Sequence, residues 1–280
     1  DRPGGGMIVK AITLDFFRNY LHLEAAFHPR INVIFGDNAQ GKTNLLEAVA
    51  YLSSASSHRA RYDRELIQFG VDHAFVKGEV ASRGRDFTLE ASLHRGARRQ
   101  LLSNGVRLKN AGELAGILNT VLFCPEDLYL IRAGAEVRRK FLDQCICQLR
   151  PRYAVALAEY KRLREHKTRI LRDSAEHPDL LDTLDDFSLR MAQCGAILVH
   201  YRAHFIKKLR QAAPPIHADC SGGRERLELE YRTVSTVTDP EAPPKTLLPQ
   251  LLDHQESHRR AEIESRSCLS GPHKDDLSVS

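Results

Sequence analysis

GDNAQGKT, residues 36–43, is the stretch that decides the fold of this sequence. It satisfies the pattern G-x-x-x-x-G-K-[ST], whose glycines allow successive backbone N–H groups to point toward phosphate oxygens. Lys42 is then expected to place its ammonium on the β- and γ-phosphates, and Thr43 to offer its hydroxyl to Mg²⁺. The segment therefore predicts a binding loop for ATP or GTP with magnesium. The predicted nucleotide-binding residues are Gly36, Asp37, Asn38, Ala39, Gln40, Gly41, Lys42, Thr43 and Asn44.

The residues on either side of this loop predict the elements that should hold it. Residues 30–35 (RINVIF) form an apolar run that leads directly into Gly36, which predicts a buried strand. Residues 43–53 (TNLLEAVAYLS) carry apolar side chains at helical spacing, and the N-terminus of such a helix adds a partial positive charge beside the phosphates. The order strand, glycine loop, helix is the context that a phosphate loop requires.

Farther along the chain, a region of strands is followed by a region of helices. Residues 7–17 predict an opening strand, and short apolar stretches within residues 73–109 predict an antiparallel meander with tight turns. Residues 120–124 (TVLFC) predict another buried strand. Further helices are predicted at 137–148, 152–174, 182–212 and 247–264, with Pro214 and Pro215 ending the helical section, and strands at 227–237 and from Leu277 onward.

Composition narrows the class of protein. The sequence has 280 residues, a formal net charge of +5 and a pI of about 8.9, a mild basic excess that permits nucleic acid as a partner without requiring it. Its six cysteines form no C-x-x-C pair, which predicts reduced thiols in a cytoplasmic protein. Residues 1–6 contain no apolar signal core and are interpreted as an N-terminal extension. No apolar run approaches the roughly 20 residues that would span a membrane.

Four further segments carry a resemblance to a known family. They are FRNY at 17–20, PEDL at 125–128, RRKFLD at 138–143 and SGPHKDDL at 270–277. Together with GDNAQGKT they resemble the RecF family. The resemblance implies an α/β P-loop NTPase with an ABC/SMC-like head, an antiparallel β subdomain and an inserted, mostly helical lobe. The expected divisions are an extension at 1–6, an ATP-binding lobe at 7–130, a helical lobe at 131–222 and a return segment at 223–280.

The resemblance also implies a function. RecF-type proteins bind ATP and duplex or gapped DNA, and they assist RecA loading with RecO- and RecR-type partners during recombinational repair, fork maintenance and the SOS response to DNA damage. The full-length protein is expected to form an ATP-dependent homodimer with weak DNA-dependent ATPase activity. Because the family's signature and Walker B motifs follow SGPHKDDL and do not occur in this sequence, we expect this chain to bind ATP weakly and to hydrolyse little. The alternative is an SMC/Rad50-like ABC ATPase head of another DNA machine.

Several charged residues are candidates for contacts with phosphate or metal. By resemblance, Arg18 and Asn19 are expected to touch the nucleotide, with a solvated arginine as the alternative for Arg18. Glu126 and Asp127 fall where related heads place a magnesium or water contact, and the simpler interpretation is that Asp127 caps a helix. Asp185-Asp186 is interpreted as a helix surface, and the segment 273–276 as a structural turn without a metal.

Two basic clusters are candidates for contact with DNA. Arg59, Arg61 and Arg64 follow the predicted loop helix and are expected to meet the phosphate backbone of DNA. A second group lies on the helix at 152–174, where interspersed Glu159 and Glu165 make a solvated face an equal alternative. Few exposed aromatic residues interleave with either cluster, which argues against a stacking platform for single strands. The basic members of the second group are Lys161, Arg162, Arg164, Lys167, Arg169 and Arg172.

Overall fold

The computed structural model describes residues 6–280, which form two compact units. The first unit extends to Phe123 and includes residues 147–151, and the second contains residues 124–146 and 152–280. The finer division predicted at 7–130, 131–222 and 223–280 stays a prediction. Residues 1–5 of the predicted extension lie outside the described residues.

The first unit is built on a six-stranded antiparallel sheet, which confirms the predicted meander. Burial alternates residue by residue along β3, as expected for a strand with one face against a core. Two hairpins close through two-residue turns with positive φ at both positions, Arg83-Gly84 and Asn104-Gly105, which is the type I′ geometry that matches strand twist. In the order β2-β1-β3-β4-β5-β6, the strands are β1 Ile8–Phe17, β2 Tyr20–Ala26, β3 His73–Ser82, β4 Arg85–His94, β5 Gln100–Ser103 and β6 Val106–Arg107.

Helix α1 (Lys42–Ser54) packs its apolar face on this sheet and begins where the glycine loop ends. Ala48 and Tyr51 are fully buried on that face. Gly78 of β3 has no side chain to meet Leu52 of α1, so the helix lies close to the strand. The predicted helix at 43–53 is therefore confirmed, and the sheet fixes the position of its N-terminus.

The two buried strands predicted at 30–35 and 120–124 are wrong for this structure. Within residues 6–280 neither segment pairs with a strand, and both remain irregular. The side chains of Ile31, Val33 and Phe35 are 76%, 78% and 89% exposed, and that of Phe123 is 77% exposed. A strand requires a hydrogen-bonded neighbour for its backbone groups, so apolar composition alone does not form one.

The second unit is mostly helical. Its longest helix, α4 (Leu184–Ser221), buries Ala192, Ala196 and Val199 against Leu247 and Leu251 of α5 (Pro244–Ser265), which confirms that the predicted segments 182–212 and 247–264 are helices. The two-stranded antiparallel hairpin β7–β8 accompanies the helices. The elements are α2 Ala135–Leu149, α3 Pro151–Asp173, α4 Leu184–Ser221, β7 Leu229–Arg232, α5 Pro244–Ser265 and β8 Asp276–Val279, of which residues 147–149 of α2 and residue 151 of α3 fall in the first unit.

One helix boundary differs from prediction. Pro214 and Pro215 do not end α4, which continues to Ser221 and is capped by Gly222 at a positive φ. Proline removes one amide donor but is tolerated where water reaches the freed carbonyl, and residues 210–216 are exposed or partly exposed. Across residues 6–280, none of the helices combines the length and apolar character needed to cross a membrane.

Candidate functional site

The loop of residues 36–41 is open and ends at the first residue of α1. Positive φ values occur at Gly36 (143°), Ala39 (65°) and Gly41 (99°), so the backbone turns repeatedly in the region that favours glycine. Lys42 curls back over the loop and donates from Nζ to the carbonyl oxygens of Gly36 at 2.7 Å and Asp37 at 2.6 Å. Repeated positive φ values and a lysine at a helix N-terminus are features that this loop shares with anion-binding nests.

The turn between β1 and β2 packs against the end of this loop. A Cβ atom at Gly41 would lie 2.6 Å from Oδ1 of Asn19 and 3.0 Å from the ring of Tyr20, so no larger residue fits. The Tyr20 hydroxyl donates to the Gly41 carbonyl at 3.1 Å, and Asn44 donates from Nδ2 to Oδ1 of Asn19 at 2.8 Å. The FRNY segment therefore holds the loop at its helical end.

Arg18 forms a paired contact with a carboxylate inside the fold. Its Nε and Nη2 donate to the two carboxylate oxygens of Glu47 at 2.9 and 2.8 Å, and Nη1 donates to the Glu65 carbonyl at 2.9 Å. Glu47 is completely buried on α1 and also accepts a hydrogen bond from the Ser57 hydroxyl. Burial raises the pKa of Glu47, but the hydrogen bonds from Arg18 and Ser57 outweigh it and leave the pKa below its usual value.

This role of Arg18 differs from the nucleotide contact that the sequence predicts. The available signal was Glu47 itself, which lies between Leu45 and Ala48 on the apolar face of the predicted helix. A carboxylate at such a position requires a partner, because an unpaired buried charge is costly. In this structure the Arg18 guanidinium neutralises Glu47 beside the loop.

We expect Glu47→Gln to lower the free energy of unfolding by about 2 kcal/mol at neutral pH, because it removes a buried charge-assisted pair. A carboxylate with a depressed pKa stabilises the fold above its usual pKa of 4.5 and loses that contribution as pH falls through the folded-state value. The difference between wild type and variant should therefore shrink below about pH 4.5. Urea unfolding followed by circular dichroism measures this difference in the free energy of unfolding. Glu79→Gln, at an exposed site on β3, is the control, and a difference independent of pH would contradict the assignment.

Three of the predicted DNA-contact residues lie in the segment after α1. Arg59 donates from Nη1 to Oδ1 of Asn44 at 3.2 Å, so it reaches the start of α1 beside the loop. The guanidinium groups of Arg61 and Arg64 lie 5.4 and 4.8 Å from the ring centroid of Tyr62. These contacts keep the three side chains near the surface of the first unit.

An open cleft of about 600 Å³ connects this segment with the FRNY turn. We call it the arginine cleft. Its four arginines face one acidic side chain, so its field favours anions. It brings together Arg18, Asn19, Asn44, Arg59 and Arg64 from the predicted set, and Arg61 is not part of its lining. The residues that line it are Arg18, Asn19, Asn44, Arg59, Arg64, Glu65, Ile67, Phe69 and Arg95.

A partly buried anchor fixes the arginine-bearing segment to the sheet. Arg99 donates from Nη1 to both carboxylate oxygens of Asp63, at 2.9 and 3.1 Å. The Tyr51 hydroxyl donates to the same carboxylate at 3.1 Å, and burial raises the pKa of Tyr51. Because Tyr51 lies on α1, this anchor ties the helix that follows the phosphate loop to the segment that carries Arg59 and Arg64. Sequence reasoning did not identify it.

In the second unit, the RRKFLD and SGPHKDDL segments meet. Arg138 pairs with both carboxylate oxygens of Asp276 at 2.8 and 2.9 Å, and Arg139 donates to the Asp275 carbonyl at 2.6 Å. Arg202, which is 2% exposed, lies between the carboxylates of Asp143 and Asp275 at 2.8 and 2.9 Å. These motifs form an internal network, and Arg202 was absent from the sequence prediction.

The remaining acidic and histidine candidates have structural contacts. Asp127 accepts from the Cys124 amide at 2.7 Å as the third residue of a short helix, Pro125–Tyr129, whose N-cap is Cys124; it supports that helix terminus but is not the N-cap itself, and the side chain of Glu126 lies outside the described residues. Asp185 is exposed in the first turn of α4, as predicted for a helix surface. The hydroxyl of Tyr160 lies 2.7 Å from Nδ1 of His273, and burial lowers the pKa of that histidine to about 4. Within residues 6–280 no group of three or more His, Cys, Asp or Glu side chains is placed to hold a metal ion.

The second basic cluster proves to be divided. Lys167 is buried and forms an ion pair with Glu262, so it does not belong to an exposed face. Arg162 instead pairs with Glu159 at 2.9 Å on the surface of α3, and Arg190 of α4 pairs with the same carboxylate. These ion pairs favour the solvated-face alternative for this part of the cluster over a contact with DNA.

Comparison with known proteins gives consistent matches. A family model described as an AAA domain matches residues 11–177, a range that includes the loop at 36–43. The chain is 37% identical over 272 residues to the DNA replication and repair protein RecF of Agathobacter rectalis, covering 97% of this chain and 72% of that protein.

Two solved structures are similar over nearly the whole chain. One, described as the recombination mediator protein RecF-ATPrS in the RecFOR pathway, has a TM-score of 0.89 and 29% identity and covers 98% of this chain and 73% of that chain. The other, described as RecF-ATP in the same pathway, has a TM-score of 0.86 and 28% identity and covers 99% and 74%.

Proposed function

Because this chain belongs to the RecF family of DNA replication and repair proteins, we propose that its phosphate loop binds ATP with Mg²⁺ and that its arginine cleft contacts DNA. The chain is a RecF-type DNA-repair protein with a P-loop ATPase fold. The alternative of an SMC/Rad50-like head from another DNA machine is not pursued, because the relative with 37% identity over 97% of this chain is a RecF protein.

The observation that carries the ATP proposal is the loop wrapped around Lys42 at the start of α1. In the bound state the Lys42 ammonium would exchange the carbonyls of Gly36 and Asp37 for phosphate oxygens. Backbone amides of residues 37–43 would donate to the same oxygens. Thr43 is exposed in the first turn of α1, so its hydroxyl is free to serve as an oxygen ligand for Mg²⁺. ATP carries the negative charge of the triphosphate, and the loop provides the fixed ammonium and amide groups that bind it.

Arg18 and Asn19 are proposed to support the site in different ways. Asn19 contacts Gly41 and Asn44 and so sets the end of the loop. Arg18 borders the arginine cleft while its guanidinium is paired with Glu47, so a phosphate contact by Arg18 would have to share that pairing. We therefore propose an indirect role for Arg18, namely holding α1 and its loop in position.

Titration of the chain with a fluorescent ATP analogue tests this function. We expect saturable binding that weakens at least about tenfold when EDTA removes Mg²⁺, because a hard cation neutralises the phosphate charge. A guanosine analogue titrated in parallel distinguishes ATP from GTP. The absence of saturable binding at millimolar nucleotide would overturn the proposal.

The arginine cleft is the proposed site of DNA contact. Arg59 and Arg64 line it, and phosphate contacts by arginine release counterions from DNA. In the double variant Arg59→Ala/Arg64→Ala, the slope of log affinity against log salt for duplex DNA should fall by about 1.8, since each lost contact contributes about 0.9. Fluorescence anisotropy measures this slope.

The matched control is Arg85→Ala/Arg107→Ala, two exposed arginines on β4 and β6 of the same sheet. It removes the same charge and should leave most of the slope unchanged. If the cleft variant instead weakens ATP binding and leaves the salt slope at its wild-type value, Arg59 and Arg64 serve the nucleotide and not DNA. The single variant Arg61→Ala separately tests the third predicted residue.

Protein partners follow from the same family membership. The structures named above are described as components of a RecFOR pathway, which supports RecO- and RecR-type proteins as partners of this chain. We also propose that ATP promotes homodimer formation by the full-length protein. Light scattering of that protein with and without ATP measures its mass, and an unchanged monomer at saturating ATP would refute this part.

A further inference from the structure

A cavity of about 370 Å³ lies in the second unit, among side chains of α3, α4 and α5. Its volume falls in the range of small-molecule sites. It is separate from the phosphate loop and the arginine cleft, whose residues all belong to the first unit. Leu184 and Leu252 provide apolar surface, and the rest of the lining is polar or charged.

The deepest charges of the cavity cancel. Lys167 donates to Glu262 at 2.7 Å, and both side chains are at most 3% exposed. The second carboxylate oxygen of Glu262 accepts from the amides of Leu269 and Ser270 at 2.8 and 3.2 Å. Both carboxylate oxygens of Glu262 already accept hydrogen bonds, and Lys167 is neutralised by this carboxylate. The pair therefore exerts little net charge on a ligand in the cavity.

Gln255 provides a buried acceptor beside this ion pair. It is 5% exposed, and its Oε1 has no hydrogen-bond partner within residues 6–280. A buried acceptor without a donor has lost its hydrogen bonds to water without replacing them, so native proteins rarely leave one unused. Gln255 also lines the cavity, so a rotation of its amide that turns Oε1 toward the cavity would let it accept from an N–H group of a ligand there.

The entrance of the cavity is acidic. Asp253 and Glu256 are exposed, and neither forms an ion pair in the described part of the chain. Asp185 pairs with Arg259 and is neutralised. Counting the lining groups, four carboxylates (Asp185, Asp253, Glu256, Glu262) oppose two cations (Lys167, Arg259), which leaves a formal charge of −2. Such a site repels phosphates and attracts cations.

We propose that this cavity binds an alkyl guanidinium or ammonium group. An N–H of the ligand donates to Gln255, its charge lies near Asp253 and Glu256, and its alkyl stem contacts Leu184 and Leu252. This chemistry is carried by free small cations and by the arginine side chain of a protein.

Isothermal titration of the 280-residue chain with agmatine, an alkyl guanidinium, tests the proposal. We expect one saturable site, weakened at least about tenfold by Gln255→Leu and by Asp253→Asn/Glu256→Gln. Asp219→Asn on the same helix as Leu184 is the matched control and should bind like wild type. It lies 31 residues beyond Ser188, or roughly 45 Å along α4 at 1.5 Å per residue.

Two further arms identify the source of the cation. A short peptide with one arginine is compared with the same peptide carrying neutral citrulline. Tighter binding of the arginine peptide than of agmatine indicates a protein side chain, and the reverse order indicates a free small cation. If neither probe binds below about 10 mM, or if both variants bind agmatine as the control does, the cavity holds water only and the proposal fails. Circular dichroism of each variant verifies that the helices are retained.

Discussion

Replacing Lys42 with alanine is expected to lower the affinity of the chain for ATP by about 10- to 150-fold, because a charge-assisted hydrogen bond to phosphate contributes roughly 1.5–3 kcal/mol. Lys42 is the cation around which the loop turns, through the carbonyls of Gly36 and Asp37. The alanine variant removes both the phosphate contact and the internal partner of those carbonyls. Equilibrium titration with a fluorescent ATP analogue measures the loss.

Lys109→Ala is the matched control for this experiment. Lys109 is an exposed lysine of the same unit, at the far end of the meander from the loop. The Lys109→Ala variant should bind ATP like wild type. Because Lys42 is half-exposed and its contacts lie within one loop, both variants should unfold at nearly the same urea concentration. An affinity in Lys42→Ala within threefold of wild type would show that the loop is not the nucleotide site.

The second large effect is expected in the other unit. Arg202→Ala should lower the free energy of unfolding by about 3–5 kcal/mol, the usual cost of leaving buried carboxylates without their cation. Arg202 donates to Asp143, to Asp275 and to the hydroxyl of Tyr153, and it also reaches the Pro272 carbonyl. Burial already raises the pKa of Asp275 against the opposing effect of Arg202. Without the arginine, that pKa should rise further.

Urea unfolding monitored by circular dichroism measures the effect of Arg202→Ala. Lys208→Ala, at an exposed position on the same helix, is the control and should change stability by less than about 0.5 kcal/mol. Arg202→Lys keeps the charge but loses the forked geometry, so an intermediate loss is expected. If Arg202→Ala is as stable as the control, the network between RRKFLD and SGPHKDDL does not hold the unit together.

Local patterns predicted much of this fold. The meander could be identified because its strands alternate in burial and its turns carry glycine, and α2 to α5 could be identified from helical periodicity. The phosphate loop could be identified from only eight consecutive residues. The length of α4 could not be predicted, since the local rule for Pro214 and Pro215 argues for an end that the exposed helix does not have.

The partners of charged residues could not be predicted from local patterns. The pairing of Arg18 with Glu47 joins residues 29 positions apart, and that of Arg202 with Asp275 joins residues 73 apart. The resemblance to the RecF family identified FRNY and SGPHKDDL but not the contacts that they make. For residues 30–35, apolar composition predicted burial, but the pairing strand that burial requires is a nonlocal property.

The apolar segment that precedes Gly36 has a thermodynamic consequence for ligand affinity. Its last residue is bonded directly to the first glycine of the nest, so any backbone that pairs with Ile31 to Phe35 also restricts the conformations of that glycine. Backbone pairing of this segment and binding of nucleotide to the loop are then coupled by a single free energy. Suppose that a binding partner orders this segment and so increases the affinity for nucleotide. By reciprocity, bound nucleotide then increases the affinity for that partner by the same factor.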